Sequence, residues 1–328
     1  MDISFVIPCY NSAGTIEGVV EEIHALMSTH PEQKYEIVLV SDGSPDEVYS
    51  VIAHMAQGDR RVTGVELAKN FGQHAALMAG YRCCSGSVIV SLDDDGQTPV
   101  DESFKLIDKL QQGSDVVYGS YPHIRQNPFR VLGSRINDLM MVVLIGKPRQ
   151  IRTTSFFACR RFVITEMLRY HNSYPYLAGL VFRTTNRINT VEVNHRSRER
   201  GISNYSLHKL LALWLNGATA FSVKPLRVAT VFGGLCALVG FVWTLFTIVH
   251  KILNPSVPAG YSSMMAVLLF TSGMIMILLG IIGEYVGRTY IIQNMSPQYV
   301  VRQTTGALDE KPDHGTEWTK NDCGCNSQ

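Results

Sequence analysis

Through the first two thirds of the chain, short apolar runs alternate with stretches of helical periodicity. Ile3-Ser-Phe-Val-Ile-Pro8 reads as a strand, followed by Cys9-Tyr10-Asn11-Ser12 and a helical pattern to Met27. Tyr35–Val40 reads as a second strand that ends in Ser41-Asp42-Gly43-Ser44-Pro45-Asp46, with another helix beyond it. Arg61–Leu67 is a third strand, Phe71–Cys84 a helix, and Val88-Ile-Val-Ser-Leu92 a β-branched run that empties into Asp93-Asp94-Asp95-Gly96-Gln97. Asp115–Tyr121, Phe156–Arg161 and Asn189–Ser197 read as further strands, and Phe129–Gly146 as a long amphipathic helix carrying Arg130 and Arg135. Strands alternating with helices predict right-handed crossovers and an α/β, doubly wound, mainly parallel sheet. In such sheets ligands bind beyond the carboxyl ends of the strands, where Tyr10, Asn11, Asp42 and the Asp93 cluster all fall.

The pattern changes after residue 205. Leu207–Phe221 is apolar with Lys209 and Trp214, and suits either a membrane-interface helix or an ordinary core-facing one. Residues 228–249 and 264–283 contain no charged residue, and each is about 20 residues, enough to cross a hydrocarbon core as a helix. Lys224 and Arg227 precede the first run, Arg288 follows the second, and the connecting loop His250–Ser263 holds Lys251 alone as a fixed positive charge, which predicts both ends in the cytoplasm. Gly233, Ala237 and Gly240 share one face of the first run, as Gly273 and Gly280 do in the second, a spacing that permits close packing in lipid. Glu284 and Arg288, four apart, read as an ion pair. From Thr304 the chain is polar and expected to be disordered. The resulting division is a catalytic domain over 1–205, an interfacial helix over 206–226, a two-helix hairpin over 227–288, and a juxtamembrane segment with a polar tail over 289–328.

Composition narrows the function. A formal net charge of +1 lacks the basic excess of a nucleic-acid binder, so no nucleic-acid partner is expected. The seven cysteines are scattered and odd in number, which fits a reducing compartment rather than a disulfide framework. Met1-Asp2-Ile3 leads straight into a strand, with no secretory signal pattern. Neither a Walker-type Gly-Lys-Ser loop nor Gly-x-Gly-x-x-Gly after a strand occurs, against kinase, ATPase and dinucleotide readings. Asp93, Asp95 and Gln97 can converge on one hard cation, Mg2+ or Mn2+, leaving positions open for phosphate oxygens. A solvated acidic turn is the plain alternative. Arg198 and Arg200, in a basic loop, are suited to bidentate phosphate contacts, though a lone surface Arg is common.

Several of these segments carry a resemblance. Ile7-Pro8-Cys9-Tyr10-Asn11, Asp42-Gly43-Ser44-Pro45-Asp46, Asn70-Phe-Gly-Gln-His74 with Met78-Ala-Gly80, and Leu92-Asp-Asp-Asp-Gly-Gln97 resemble family 2 glycosyltransferases of the GT-A fold. With Arg198-Glu-Arg-Gly-Ile-Ser-Asn-Tyr205, the apolar pair, Gly283–Arg288 and Ser296-Pro-Gln-Tyr299, the chain is similar to polyprenyl-phosphate glycosyltransferases. That group holds dolichyl-phosphate mannose synthases and bacterial undecaprenyl-phosphate sugar transferases, including the aminoarabinose transferases of lipid A modification. The likeness covers roughly residues 1–302.

The resemblance implies an inverting, metal-dependent transferase moving one sugar from a nucleotide-sugar, of the UDP class, to undecaprenyl phosphate. It implies a bacterial inner-membrane, multi-pass protein with a cytoplasmic catalytic domain, and is compatible with a homo-oligomer. It assigns Asp93, Asp95 and Gln97 to the metal, and Pro8, Tyr10, Asn11, Asp42, Asp94 and Arg198 to the nucleotide-sugar. Arg130 and Arg135 fall to the acceptor phosphate, with Asp93, Asp95 and Arg135 as catalytic residues. Three positions depart from the family pattern. Ser41 replaces the first of two acids, Asn204 a common lysine, and Ser155 lies where several relatives carry an aspartate. A processive synthase would carry Gln-x-x-Arg-Trp, and no arginine precedes Trp214, Trp243 or Trp318. The reading from another class is a membrane-anchored sugar-nucleotide-binding or flippase accessory protein.

Overall fold

The apolar runs become strands because both their faces are covered. The computed structural model describes residues 2–121, 150–194, 224–253, 260–293 and 297–306, together with positions 142 and 148. Strand β1 (Asp2–Cys9) is buried from Ile3 to Cys9, the near-continuous apolar run expected of a strand packed on both sides. Helix α1 (Ile16–Ser28) returns over it and buries Ile16, Val19, Val20, Ile23 and Met27. Their spacing is that of one helical face, and each side chain contributes about 1.5–3 kcal/mol by leaving water.

The chain continues through β2 (Lys34–Ser41), α2 (Val48–Gly58), β3 (Val62–Leu67), α3 (Gln73–Cys83), β4 (Val88–Ser91), a 3-10 turn at Val100–Glu102, α4 (Ser103–Gln111) and β5 (Val116–Ser120). Next come β6 (Phe157–Arg160), α5 (Arg161–Met167), α6 (Leu177–Thr184) and β7 (Ile188–Glu192). Two long helices follow, α7 (Lys224–Leu253) and α8 (Tyr261–Gln293), and then β8 (Val301–Gly306). The chain folds as two compact units, Met1–Asn204 with Met295–Gln328, and Tyr205–Asn294.

The sheet runs β7-β5-β6-β4-β1-β2-β3-β8. β1 pairs in parallel with β2 and β4, and β2 with β3, as the alternating pattern predicts. The sheet is mainly parallel, as expected, and its antiparallel pairings lie where β6 and β8 join it. β6 enters antiparallel between β4 and β5, while β5 and β7 pair in parallel. Strand direction is set by the connections, and apolar runs of four or five residues do not encode it.

β8 brings one difference: Thr304–Gly306, expected to open a disordered polar tail, instead pair antiparallel with β3, and the tail beyond Gly306 lies outside the described residues. Gln303 donates to Glu66 at 2.8 Å, and Arg302 lies 3.6 Å from the same carboxylate. An edge strand with an exposed face needs few apolar residues, so its composition reads as tail.

Helix α3 lies close to the sheet. A Cβ at Gly80 would stand 2.5 Å from Val6 Cγ1 and 3.0 Å from Val40 Cγ2. That approach brings the amino end of α3 to the carboxyl ends of β1 and β4.

In the second unit, α7 and α8 contain both uncharged runs. Among the described residues, α8 carries an 18-residue window, Phe270–Gly287, of mean hydropathy 1.6, long and apolar enough to cross a membrane. α7 shows a shorter apolar stretch, Gly233–Trp243. Phe241, Trp243, Phe270 and Ile277 are each more than 60% exposed, an apolar surface without protein cover in this unit. A Cβ at Gly233 would meet Leu278 at 3.7 Å, the one glycine of the expected small-residue faces with such a neighbour among the described residues. The side chains of Glu284 and Arg288, and the segment around Trp214, lie outside the described residues.

Candidate active site

The strand order places β1 between β2 and β4, so successive crossovers leave β1 in opposite directions and a crevice opens at its carboxyl end. Four loops meet there. After β1, the Tyr10 N–H donates to Asp94 Oδ2 at 2.9 Å, and the Thr15 hydroxyl to the Asp94 carbonyl at 2.7 Å. Asn11 adopts φ 58°, a left-handed geometry that asparagine tolerates, and its N–H donates to Ser44 Oγ at 2.7 Å. The Ala13 N–H donates to Asp46 at 2.9 Å, and Ser44 also donates to Asp46. Asp46 is held below the usual carboxylate range, partial desolvation being outweighed by these hydrogen bonds.

Asp42, at the end of β2, is 3% exposed. Its Oδ1 accepts from the Phe71 N–H at 2.7 Å and its Oδ2 from the Gly72 N–H at 2.8 Å. Desolvation raises its pKa against those two donors. The turn around it is tight: at Gly43, φ +57°, a Cβ would stand 2.3 Å from the Lys69 carbonyl carbon. Pro8 is buried within β1 opposite Val40, beyond the last residue paired with β4. Tyr10 is 51% exposed at the crevice mouth.

The three acids after β4 have separate surroundings. Asp93 Oδ1 accepts from Gln73 Nε2 at 3.0 Å, and its Oδ2 accepts from the Ser155 hydroxyl. Burial, with the Asp95 and Asp94 carboxylates beside it, pushes Asp93 up to about 6, against the Ser155 and Gln73 hydrogen bonds. Asp94 is also raised by burial, tempered by the Ser12 hydroxyl and the Tyr10 N–H. Asp95 Oδ1 accepts from the Gln97 N–H at 3.1 Å. Burial and the charges of Asp93, Asp95 and Glu102 push the Tyr121 phenol up to about 12. Three carboxylates stand together at the crevice floor, and no Lys or Arg among the described residues forms an ion pair with them.

Among the described residues no three His, Cys, Asp or Glu side chains gather as a metal-holding group. Two carboxylates and an amide are nevertheless hard oxygen donors, the type that suits Mg2+ or Mn2+. The set fits such a cation when a bound substrate completes the coordination.

The expected residues Pro8, Tyr10, Asn11, Asp42, Asp93, Asp94, Asp95 and Gln97 all lie at this end of the sheet. Arg130, Arg135 and Arg198 lie outside the described residues, as does Asn204. Gln73, His74 and Tyr121 join the site without having been expected there. Gln73 and His74 lie inside Asn70–His74, so the motif held the signal without their roles. Burial lowers His74 to about 4, and its buried Nδ1 has no hydrogen-bond partner among the described residues. Its ring meets Tyr176 edge-on at 5.7 Å.

Residues 4–168 match the family model Glycosyl transferase family 2, and residues 224–289 match GtrB C-terminal hairpin. Undecaprenyl-phosphate 4-deoxy-4-formamido-L-arabinose transferase of Serratia proteamaculans (strain 568) is 34% identical over 318 residues, 96% of each chain. The protein of the same name from Edwardsiella ictaluri (strain 93-146) is 33% identical over 319 residues, 96% of this chain and 97% of its own. Among solved structures, glucosyl-3-phosphoglycerate synthase from Mycobacterium tuberculosis, in complex with Mn2+ and UDP-glucose, has a TM-score of 0.51 at 20% identity. The match covers 66% of this chain and 76% of that one, and at this identity it shows the shared GT-A fold. With a family match over half its length and relatives aligned end to end, the chain belongs to glycosyl transferase family 2, and within it to the polyprenyl-phosphate glycosyltransferases.

Proposed function

We propose that the protein transfers one sugar, with inversion, from a UDP-sugar to undecaprenyl phosphate, supplying a lipid-linked sugar for a cell-envelope glycan or for lipid A modification. The observation that carries this reading is the acidic crevice formed by Asp93, Asp94 and Asp95 where the loop after β1 meets the loop after β4. The relatives' names support undecaprenyl phosphate as acceptor and a 4-amino-pentose derivative as the sugar class. The neighbour of the same fold that holds Mn2+ and UDP-glucose supports a divalent ion with a uridine nucleotide.

In this reading Asp93, Asp95 and Gln97 hold Mg2+ or Mn2+, which when bound neutralises charge on the leaving diphosphate. Tyr10 and Asn11 flank the nucleoside, and Asp94 fixes their loop. Asp42 shapes the pocket by holding the Phe71–Gly72 turn. Arg198 closes on the diphosphate, while Arg130 and Arg135 hold the acceptor phosphate and orient its attacking oxygen. A phosphate monoester has a second pKa of about 6, so the acceptor is mostly dianionic at neutral pH. Attack then needs positioning and charge screening, and no carboxylate base.

We place the catalytic domain at the cytoplasmic face of the bacterial inner membrane, with α7 and α8 as a two-span hairpin. β7 precedes those helices and β8 follows them in the same sheet, which supports an even number of crossings.

The test is conversion of a radiolabelled UDP-pentose or UDP-hexose into butanol-extractable lipid by the detergent-solubilised protein. Product should require both undecaprenyl phosphate and Mn2+ or Mg2+, and Asp95→Asn should cut turnover by at least about 100-fold. Donor binding without any lipid product across a donor panel would leave a binding protein and overturn the reading.

A further inference from the structure

The β4–β6 register carries Asp93 and Ser155 to opposite positions. Val88 pairs with Arg160, Ile89 with Cys159, Val90 with Ala158 and Ser91 with Phe157. Two steps further along the same antiparallel line stand Asp93 and Ser155, and there the Ser155 hydroxyl donates to Asp93 Oδ2. On the other side the Gln73 amide, at the amino end of α3, donates to Oδ1 at 3.0 Å. We propose that Ser155 and Gln73 are positioning residues that hold the Asp93 carboxylate in its cation-binding orientation; this rests on the metal reading above.

Three features support the assignment. Each donor occupies one lone pair on a different oxygen, which fixes the carboxylate plane and leaves a lone pair on each oxygen free. Both donors are neutral, so they orient Asp93 without bringing a positive charge that would compete with the ion. The hydroxyl of Ser155 is also not needed to secure its own segment. Thr154 does that, its one hydroxyl hydrogen shared between the Gly119 and Phe156 carbonyls, each 2.9 Å away, while the Gly119 N–H donates to the Phe156 carbonyl at 2.9 Å. An oriented ligand binds an ion without first losing rotamer freedom, the cost that a supporting shell removes.

The experiment measures Mn2+ affinity by the free-ion EPR signal of the full-length detergent-solubilised protein in the presence of UDP, with no acceptor and no turnover. Ser155→Ala should weaken Mn2+ binding by about tenfold or more, within the range for lost outer partners of metal ligands. Ser155→Thr, which keeps the hydroxyl, should stay within about twofold of the parent, and Gln73→Ala gives an independent measurement should Ser155→Ala fail to fold. Unchanged affinity in Ser155→Ala and Gln73→Ala, or equal weakening by Ala and Thr at 155, would overturn the positioning role while leaving the metal site standing. If the parent protein itself binds no Mn2+ with UDP, the metal reading fails and this inference fails with it.

Discussion

The Tyr10 amide nitrogen and Asp94 Oδ2 are 2.9 Å apart, and that bond, with the Thr15 hydroxyl on the Asp94 carbonyl, joins two loops separated by 84 positions into a single surface. The acceptor is charged, so the bond stabilises the loop by about 1.5–3 kcal/mol, on the order of tenfold to a hundredfold in a binding constant. Asp94→Ala should therefore weaken UDP binding by that factor in isothermal titration. Asp94→Asn retains an acceptor oxygen and should recover most of the affinity.

Asp93 and His74 predict opposing responses to pH. The folded pKa of Asp93 is raised to about 6, so its contribution is fully present below the unfolded value of about 3.8 and is lost as pH rises through 6. His74 is depressed to about 4, so its contribution is present above the unfolded value of about 6.5 and is lost as pH falls through 4. Each shift corresponds to about 3 kcal/mol, and the two act in the same window with opposite sign. Between pH 6.5 and 4 they nearly cancel in the parent protein. Removing one partner should expose the other. In cation-free protein, acidification from pH 7 to 5 should lower the Tm of Asp93→Asn and raise that of His74→Leu relative to the parent, measured by differential scanning fluorimetry.

Gly43 is the most sharply constrained turn residue at the site. An added Cβ would approach the backbone at Lys69 and Asn70 to 2.3–2.6 Å, with φ already at +57°. Backbone cannot move aside as a side-chain tip can, so Gly43→Ala should destabilise by several kcal/mol and release the turn that Asp42 holds. Gly14→Ala, where nothing lies within 4 Å, serves as the neutral comparison in the same thermal melt.

The parts of this fold legible in the sequence are those where one segment carries its own signal. The β1, β2 and β4 runs are apolar on both faces, and each ends in a polar turn, so the crevice at their carboxyl ends follows from pattern alone. Ser155 is visible in the sequence as a departure, yet its contact with Asp93 is a product of register across 62 positions. Nothing local to either residue encodes that register. The strand at Phe156–Arg161 is visible in the sequence, but the same limit hides its antiparallel insertion between β4 and β5. At Asp42 the residue type suggests an acid facing the nucleotide-sugar, and the main-chain N–H groups of Phe71 and Gly72, one on each of its oxygens, come from a distant segment that residue identity does not reveal.

β8 makes the carboxyl-terminal segment part of the catalytic sheet. A chain ending at Val300 lacks the strand that pairs with Thr63–Leu67 and exposes the β3 edge. It should melt lower and form larger assemblies in detergent, read by size-exclusion chromatography, whereas a chain ending at Gly306 should match the full-length protein.

That strand also sets an order of events during synthesis. Gln303 is translated 237 positions after its partner Glu66, an interval of roughly 10–50 s at about 5–20 residues per second. Both long apolar helices are synthesised within that interval, so the sheet is finished only after they have been made. Until then the outer face of β3 is an open template for pairing with another nascent chain. In the proposed two-span arrangement, a delay in inserting α7 and α8 lengthens the time that the catalytic domain spends unfinished, and links the folding of the sheet to the capacity of the insertion machinery.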